Sequence, residues 1–200
     1  ILPSVPFFKY TSGAKNPYNL SLAKSFLKKS NYRRADTIIF HVSTRLGSPE
    51  DNWCLSLVEK LRETLRLNLK LKRVSFSEKM TAIKSGSASM WMAGFISDYP
   101  DAESFLMPYY SKNKGEGSLK NGHFTSWEFD KTMDKARAEM EPIERNAYFN
   151  ECVEILNQKA PIVPLYFEDL VVVFNLRLRE AKVNSFGILD LSEAYLKAIK

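Results

Sequence analysis

The chain has 200 residues, of which 44% are hydrophobic and 26% are charged, and its formal net charge is +6. These values are ordinary for a soluble globular protein, and a chain of this length buries about 70% of its unfolded surface. No apolar run approaches the ~20 residues that span a bilayer, and no basic stripe interleaved with aromatics predicts nucleic-acid binding.

The first half of the chain alternates between strand and helix patterns. In chain order, we expect an irregular lead-in at 1–19, a helix from Asn19 to about Lys29, a strand at 37–42, a helix capped by Ser48, a strand at 67–74, a short helix from Ser77 to about Ser85, and a run that leads into Asp98. This order predicts a parallel or mixed sheet covered by helices.

The second half is mainly helical at first. We expect a helix at 101–110, a mobile surface loop at 111–122, helices at 127–140 and 143–159 broken near Pro142, strands at 161–167 and 170–174, and an ambiguous tail at 183–200. In the first half, the helix that follows Ser48 is expected to bury one stripe at four-residue steps, formed by Trp53, Leu57, Leu61 and Leu65.

Catalytic and metal-binding patterns are scarce. The two histidines are His41, in a strand pattern where a satisfied core or edge role is expected, and His123, in the expected loop. No serine-hydrolase elbow, zinc motif or phosphate-binding glycine loop is present, so neither catalysis nor a cofactor or metal is indicated. Cys54 and Cys152 are expected to be small buried hydrophobes, although a long-range disulfide stays open.

The segment Gly94-Phe95-Ile96-Ser97-Asp98-Tyr99-Pro100-Asp101 places two carboxylates three residues apart, after an apolar run. Asp98 or Asp101 could cap the helix that follows. Asp98 is also expected at the carboxyl end of a strand, where open α/β sheets bind ligands, and there it could receive an ammonium group beside Phe95. An acid/base pair of Asp98 and Asp101 is a third interpretation.

Several segments together resemble the C-terminal lobe of extracytoplasmic solute-binding proteins of oligopeptide and dipeptide ABC transporters. They come in the order of that family and cover about residues 16–170. The segments are the helix at 16–32, the helix and strand at 53–76, the Gly-Phe-Ile-Ser-Asp-Tyr-Pro-Asp segment at 94–101, Phe129-Asp130 with the helix through Arg145, and the Ala-Pro-Ile-Val-Pro-Leu-Tyr segment at 160–166.

The resemblance implies an α/β lobe of the type II periplasmic-binding-protein class, with a mixed β-sheet flanked by helices. In the family, the Asp at the position of Asp98 takes the α-ammonium of a peptide, and a Trp at the position of Phe95 helps to wall the cleft. Tyr99 belongs to the same motif. Met92 stands where some members carry an Arg thought to meet the peptide's carboxyl end, so the ligand length is open.

The resemblance further implies a non-enzymatic protein of the periplasm or cell surface, anchored by lipid, that delivers short peptides to an ABC permease. Residues 1–200 would form a single ligand-binding lobe whose tail at 183–200 returns to a missing N-terminal lobe. The chain starts without Met, so we expect a mature form or an excised piece. A metal chelate, haem or an opine as ligand, a carboxylate-dependent hydrolase, and a basic nucleic-acid binder are the alternatives.

Overall fold

The computed structural model describes residues 18–113, 124–167, 171–184 and 187–198. Residues 1–17 of the lead-in expected at 1–19, and most of the loop expected at 111–122, lie outside these ranges. The chain divides into two compact units. We call the unit formed by Ser12–Phe95 and Met107–Asp130 the sheet unit, and the unit formed by Ile1–Thr11, Ile96–Leu106 and Lys131–Lys200 the helical unit.

The first half of the chain forms the expected alternation of helices and strands. The elements are α1 (Leu20–Lys29), β1 (Ile38–Val42), α2 (Pro49–Leu65), β2 (Leu69–Arg73), α3 (Phe76–Lys84) and β3 (Met90–Trp91). The three strands pair in the order β2-β1-β3, and both pairings are parallel. The predicted parallel sheet is therefore confirmed for this part of the chain.

The core of the sheet unit lies between one face of the sheet and α2. Its buried members are Phe40, Val42, Cys54, Val58 and Leu69. The predicted stripe of α2 was wrong at Trp53, which is 38% exposed. The strand side chains pack against the helix face centred on Cys54 and Val58, and Leu57 and Leu61 lie at its edge. Four-residue steps drift around a helix of 3.6 residues per turn, which explains the error.

Three helices of this unit begin at side-chain caps that the sequence contains. The side chains of Asn19 and Ser48 accept hydrogen bonds from the backbone amides of Leu22 and Asp51. Ser75 and Glu78 form a reciprocal capping box at the start of α3. Because each cap satisfies a helical N–H that would otherwise lack a partner, α1, α2 and α3 begin at or near their predicted residues.

The second half of the chain begins with the expected helices. These are α4 (Ala102–Leu106), continued by a 3₁₀ turn at Met107–Tyr109, α5 (Trp127–Ala138) and α6 (Pro142–Lys159). Pro142 occupies the first turn of α6, where a missing N–H is harmless. Within the helical unit, α4 contacts α6, and α6 buries Phe149 and Cys152.

The strands expected at 161–167 and 170–174 were wrong, because the described residues there form no strand. The chain instead forms four two-residue strands, β4 (Leu178–Arg179), β5 (Lys182–Val183), β6 (Leu189–Asp190) and β7 (Tyr195–Leu196), which pair antiparallel as β4-β7 and β5-β6. The apolar runs have the composition of strands, but no described residue pairs with them. Val171 and Val173 are therefore 82% and 88% exposed.

Among the described residues, none of the helices combines the length and the apolar character that crossing a bilayer requires.

Candidate functional site

The carboxyl ends of β1 and β3 lie side by side in the sheet unit. His41 is in register with Trp91, and the backbone N–H of Met92 donates to the carbonyl of His41 at 3.2 Å. Because parallel strands end at the same edge, the loop after β1 and the segment after β3 leave the sheet together. Open α/β sheets bind ligands at this edge, which makes Met92–Phe95 a candidate part of a site.

A buried ion pair fixes the loop after β1. Asp51, which is fully buried, accepts from Arg73 through Oδ1 at 2.6 Å and Oδ2 at 3.0 Å. It also accepts from the hydroxyl of Thr44 at 3.0 Å and from the backbone of Gly47 at 3.1 Å. The Arg73 guanidinium and the Gly47 N–H lower the pKa of Asp51 to about 2. Sequence reasoning missed this role, because nothing local to Asp51 indicates an arginine 22 residues away.

Met92 and Phe95, two of the residues expected to contact ligand, belong to the sheet unit, and both are half-buried. The side chain of Met92 packs against the core, with its Sδ 3.5 Å from the Sγ of Cys54. Only the part of the Met92 side chain that does not pack against the core is left to contact a ligand. Gly94, which precedes Phe95, has open space around the position of a Cβ, so the chain is not crowded there.

Asp98 and Tyr99, the other two expected residues, belong to the helical unit. Asp98 is exposed, and its backbone N–H donates to the hydroxyl of Ser104 at 3.3 Å. Its carboxylate forms no hydrogen bond or ion pair with the residues that the structure describes. Tyr99 is 43% exposed, and its pKa is raised by desolvation and by the neighbouring carboxylates of Glu103 and Asp101.

Asp101, the second carboxylate of the segment, has structural partners. Its Oδ1 accepts from the backbone N–H of Glu103 at 2.8 Å and caps α4. Arg145 of α6 binds it with two hydrogen bonds, at 2.7 and 3.0 Å. The same guanidinium reaches Glu103 at 3.2 Å and lies 4.5 Å from the ring centroid of Phe149. The sequence missed this cluster, because nothing local to Asp101 indicates an arginine 44 residues away.

Two expectations about this segment need correction. The strand that was expected to deliver Asp98 ends at Trp91, with one further ladder hydrogen bond at Met92, so Asp98 does not stand at a strand end. The cap of α4 is Asp101, and no hydrogen bond supports Asp98 in that role. Asp101 has both oxygens engaged by Arg145, which disfavours its use as half of an acid/base pair.

The remaining candidates for chemistry are buried. His41 is 3% exposed as expected, but its Nδ1 has no hydrogen-bond partner in the part of the chain that the structure describes, so the satisfied histidine that the sequence predicted is not found there. Cys54 and Cys152 are buried and free, so the disulfide that the sequence left open is absent. Within the described residues, no group of three His, Cys, Asp or Glu side chains is arranged to hold a metal ion.

The fold is that of the type II periplasmic binding proteins, an α/β class with sheets flanked by helices. The chain belongs to the family described as bacterial extracellular solute-binding proteins, family 5 Middle, which matches residues 1–117. This family consists of binding proteins that act outside the cytoplasm.

Three relatives illustrate the match. Dipeptide-binding protein DppE of Bacillus subtilis is 26% identical over 192 residues, which are 94% of this chain and 34% of that protein. The probable deoxycholate-binding periplasmic protein YgiS of Escherichia coli is 22% identical over 152 residues, 76% of this chain and 28% of that protein. The structure of the periplasmic binding protein DppA from Helicobacter pylori in complex with the peptide STSA has a TM-score of 0.68 at 24% identity, covering 82% of this chain and 31% of that one.

This chain therefore spans about a third of the length of the curated relatives that it matches.

Proposed function

We propose that this chain is the C-terminal ligand-binding lobe of the substrate-binding component of an ABC peptide importer. The family and the dipeptide-binding relative support this class of ligand. An extended peptide would bond to backbone groups of the lobe, which permits broad tolerance of side chains. Phe95, Met92 and Tyr99 would contribute apolar surface to the wall of the cleft.

The exposed carboxylate of Asp98 carries the proposal. Asp101 caps α4 and pairs with Arg145, so Asp98 is not needed for either structural role. A carboxylate that has no partner among the described residues is a suitable receptor for the α-ammonium of a peptide. When a two-lobed binding protein closes, the ammonium loses water and needs a paired negative charge.

The partners that we propose follow from this role. They are short peptides, the membrane-embedded permease of the importer, and an N-terminal lobe of the same protein that supplies the opposite wall of the cleft. The protein would work in the periplasm or on the cell surface, held to the membrane by a lipid anchor. We propose no nucleic-acid partner and no reaction.

The experiment that tests the proposal combines one substitution with two ligands. Asp98→Asn should weaken binding of a free-amine peptide by about 3 kcal/mol, because the ammonium then lacks its counter-charge. It should leave the affinity for the N-acetylated form of the same peptide nearly unchanged. Titration calorimetry on the protein as the cell makes it measures both, and native mass spectrometry identifies what the purified protein carries.

Equal losses for the two peptides would contradict the ammonium role of Asp98. Failure of the wild-type protein to bind any peptide would contradict the function itself.

A non-peptide solute is the second candidate, favoured by the relative named as deoxycholate-binding. A ligand without an amino group would leave Asp98 without a binding role, and Asp98→Asn would then not change its affinity. If the purified protein releases a single compound whose mass is not that of a peptide, this candidate is supported.

A further inference from the structure

Lys79 is a buried ammonium in the first turns of α3, and no sequence pattern points to it. The residue is 7% exposed, and lysine is rarely buried to this degree without a charged partner. Its Nζ forms no ion pair with any residue that the structure describes. The two contacts are a hydrogen bond to the carbonyl of Met92 at 3.0 Å and the ring of Phe76 at 5.5 Å, and burial lowers the pKa of the amine.

Met92, the residue that Lys79 contacts, is held from three directions. Its N–H donates to the carbonyl of His41 at 3.2 Å, its carbonyl accepts from Lys79 at 3.0 Å, and its sulfur lies 3.5 Å from that of Cys54. Beyond it, Ala93 and Gly94 form no hydrogen bond with described residues. Met92 is therefore the last point at which this segment is tied to the sheet before Phe95.

An apolar side chain of the same length would fill the position of Lys79 at a smaller desolvation cost, because a buried ammonium without a carboxylate is unfavourable. What the ammonium adds is a directed donor at one carbonyl. That carbonyl sets the direction in which the chain leaves β3 at the ligand-binding edge.

We propose that Lys79 is a positioning residue for the binding site. Its ammonium fixes the carbonyl of Met92 and thereby the path of residues 93–95, so that Phe95 meets the ligand in one orientation. This inference rests on the proposed function for its consequence on affinity, whereas its effect on the backbone does not depend on any ligand.

The test uses Lys79→Met on the protein as the cell makes it, because this change removes the ammonium and keeps an unbranched apolar side chain that is one heavy atom shorter. Hydrogen exchange of the ligand-free protein should be faster at the amide of Met92 in this variant, because the hydrogen bond of that amide to His41 loses the support of the anchored Met92 carbonyl. The melting temperature should not fall, because an unpaired buried charge has been replaced by an apolar group. Affinity for tri-alanine, measured by calorimetry, should fall about tenfold, as expected for a misaligned contact.

Three further variants separate positioning from general effects. Lys84→Met removes a charge of the same sign from the exposed end of α3, and it should change neither exchange nor affinity. Lys79→Arg keeps a donor and should restore most of the affinity. Phe95→Ala combined with Lys79→Met should weaken binding by less than the product of the separate effects, because both act through Phe95.

Unchanged exchange at the Met92 amide, or a fall in melting temperature that accounts for the loss of affinity, would overturn the proposal. If the wild-type protein binds neither tri-alanine nor any other peptide while exchange at the Met92 amide still accelerates in Lys79→Met, the proposed function is wrong and the positioning role stands.

Discussion

Two aspartates of one short segment have different surroundings in this protein. Asp98 is exposed and its carboxylate is not bonded to a described residue, whereas Asp101 caps α4 and binds Arg145 with two hydrogen bonds. Sequence reasoning identified both and allowed each to be a cap, but it could not choose. The choice depends on Arg145, which is distant in sequence and becomes a neighbour only through the packing of α4 on α6.

Asp101→Asn should lower the free energy of unfolding by about 1 kcal/mol. Asparagine keeps the cap of α4, but it loses a two-bond ion pair whose side chains are both less than a third exposed. Denaturant unfolding measured at neutral pH in low and in moderate salt checks this, because the loss should shrink as salt screens the wild-type pair.

Asp98→Asn is the matched control for this stability experiment, since it makes the same chemical change three residues earlier. It should leave the free energy of unfolding within about 0.5 kcal/mol of wild type. If Asp98→Asn destabilises the protein as much as Asp101→Asn does, the assignment of the structural role to Asp101 alone is wrong.

At the scale of the elements, predictions succeeded where the signal is local. Asn19 and Ser48 begin their helices, α3 begins one residue before the predicted Ser77, and Pro142 opens α6, because caps and proline act on the residues next to them. They failed where an element needs a distant partner. The apolar run after Met90 forms only a two-residue strand, and the runs at 161–167 and 171–174 form none, because a strand exists only where another strand pairs with it.

The ion pair between Asp51 of α2 and Arg73 of β2 should make the protein sensitive to acid. The pKa of Asp51 is about 2 in the folded state, whereas an unfolded aspartate has a pKa of about 3.9. Its stabilisation is therefore complete above about pH 4 and is lost as the pH falls through about 2. Unfolding measured between about pH 2 and pH 6 should show this slope in wild type and a shallower one in Asp51→Asn.

Asp36→Asn provides the comparison, because Asp36 pairs with Arg33 at an exposed position, 3.3 Å apart. This variant should keep the acid dependence of the wild-type protein. An Asp51→Asn protein whose stability falls with acid as steeply as wild type would show that other groups cause the slope.

At the scale of the whole molecule, the order of weak motifs predicted the α/β class and the family, both of which are confirmed. The division into a sheet unit and a helical unit was not predicted, because the boundary at Phe95–Ile96 falls inside the segment that the sequence presented as one motif. The four residues expected to form one site, Met92, Phe95, Asp98 and Tyr99, accordingly belong two to each unit. Their shared role in binding stays a prediction.

Neither cysteine should react with a maleimide while the protein is folded. Cys54 and Cys152 are both fully buried. Burial raises the pKa of Cys54, and it raises that of Cys152 to about 12 with help from the Glu151 carboxylate, so little thiolate is present at neutral pH. Mass spectrometry after a timed pulse should find unlabelled native protein and two labels in denaturant. Rapid labelling of native protein would contradict the burial of the thiol concerned.

The placement of these cysteines has a further consequence, since Cys54 lies in the sheet unit and Cys152 in the helical unit. Each unit thus carries a natural reporter of its own opening. In the variants Cys54→Ala and Cys152→Ala, the labelling rate of the remaining thiol at low denaturant gives the free energy that opens its unit. Two equal free energies would mean that the chain unfolds as one cooperative body. Two different values would identify which unit unfolds more easily.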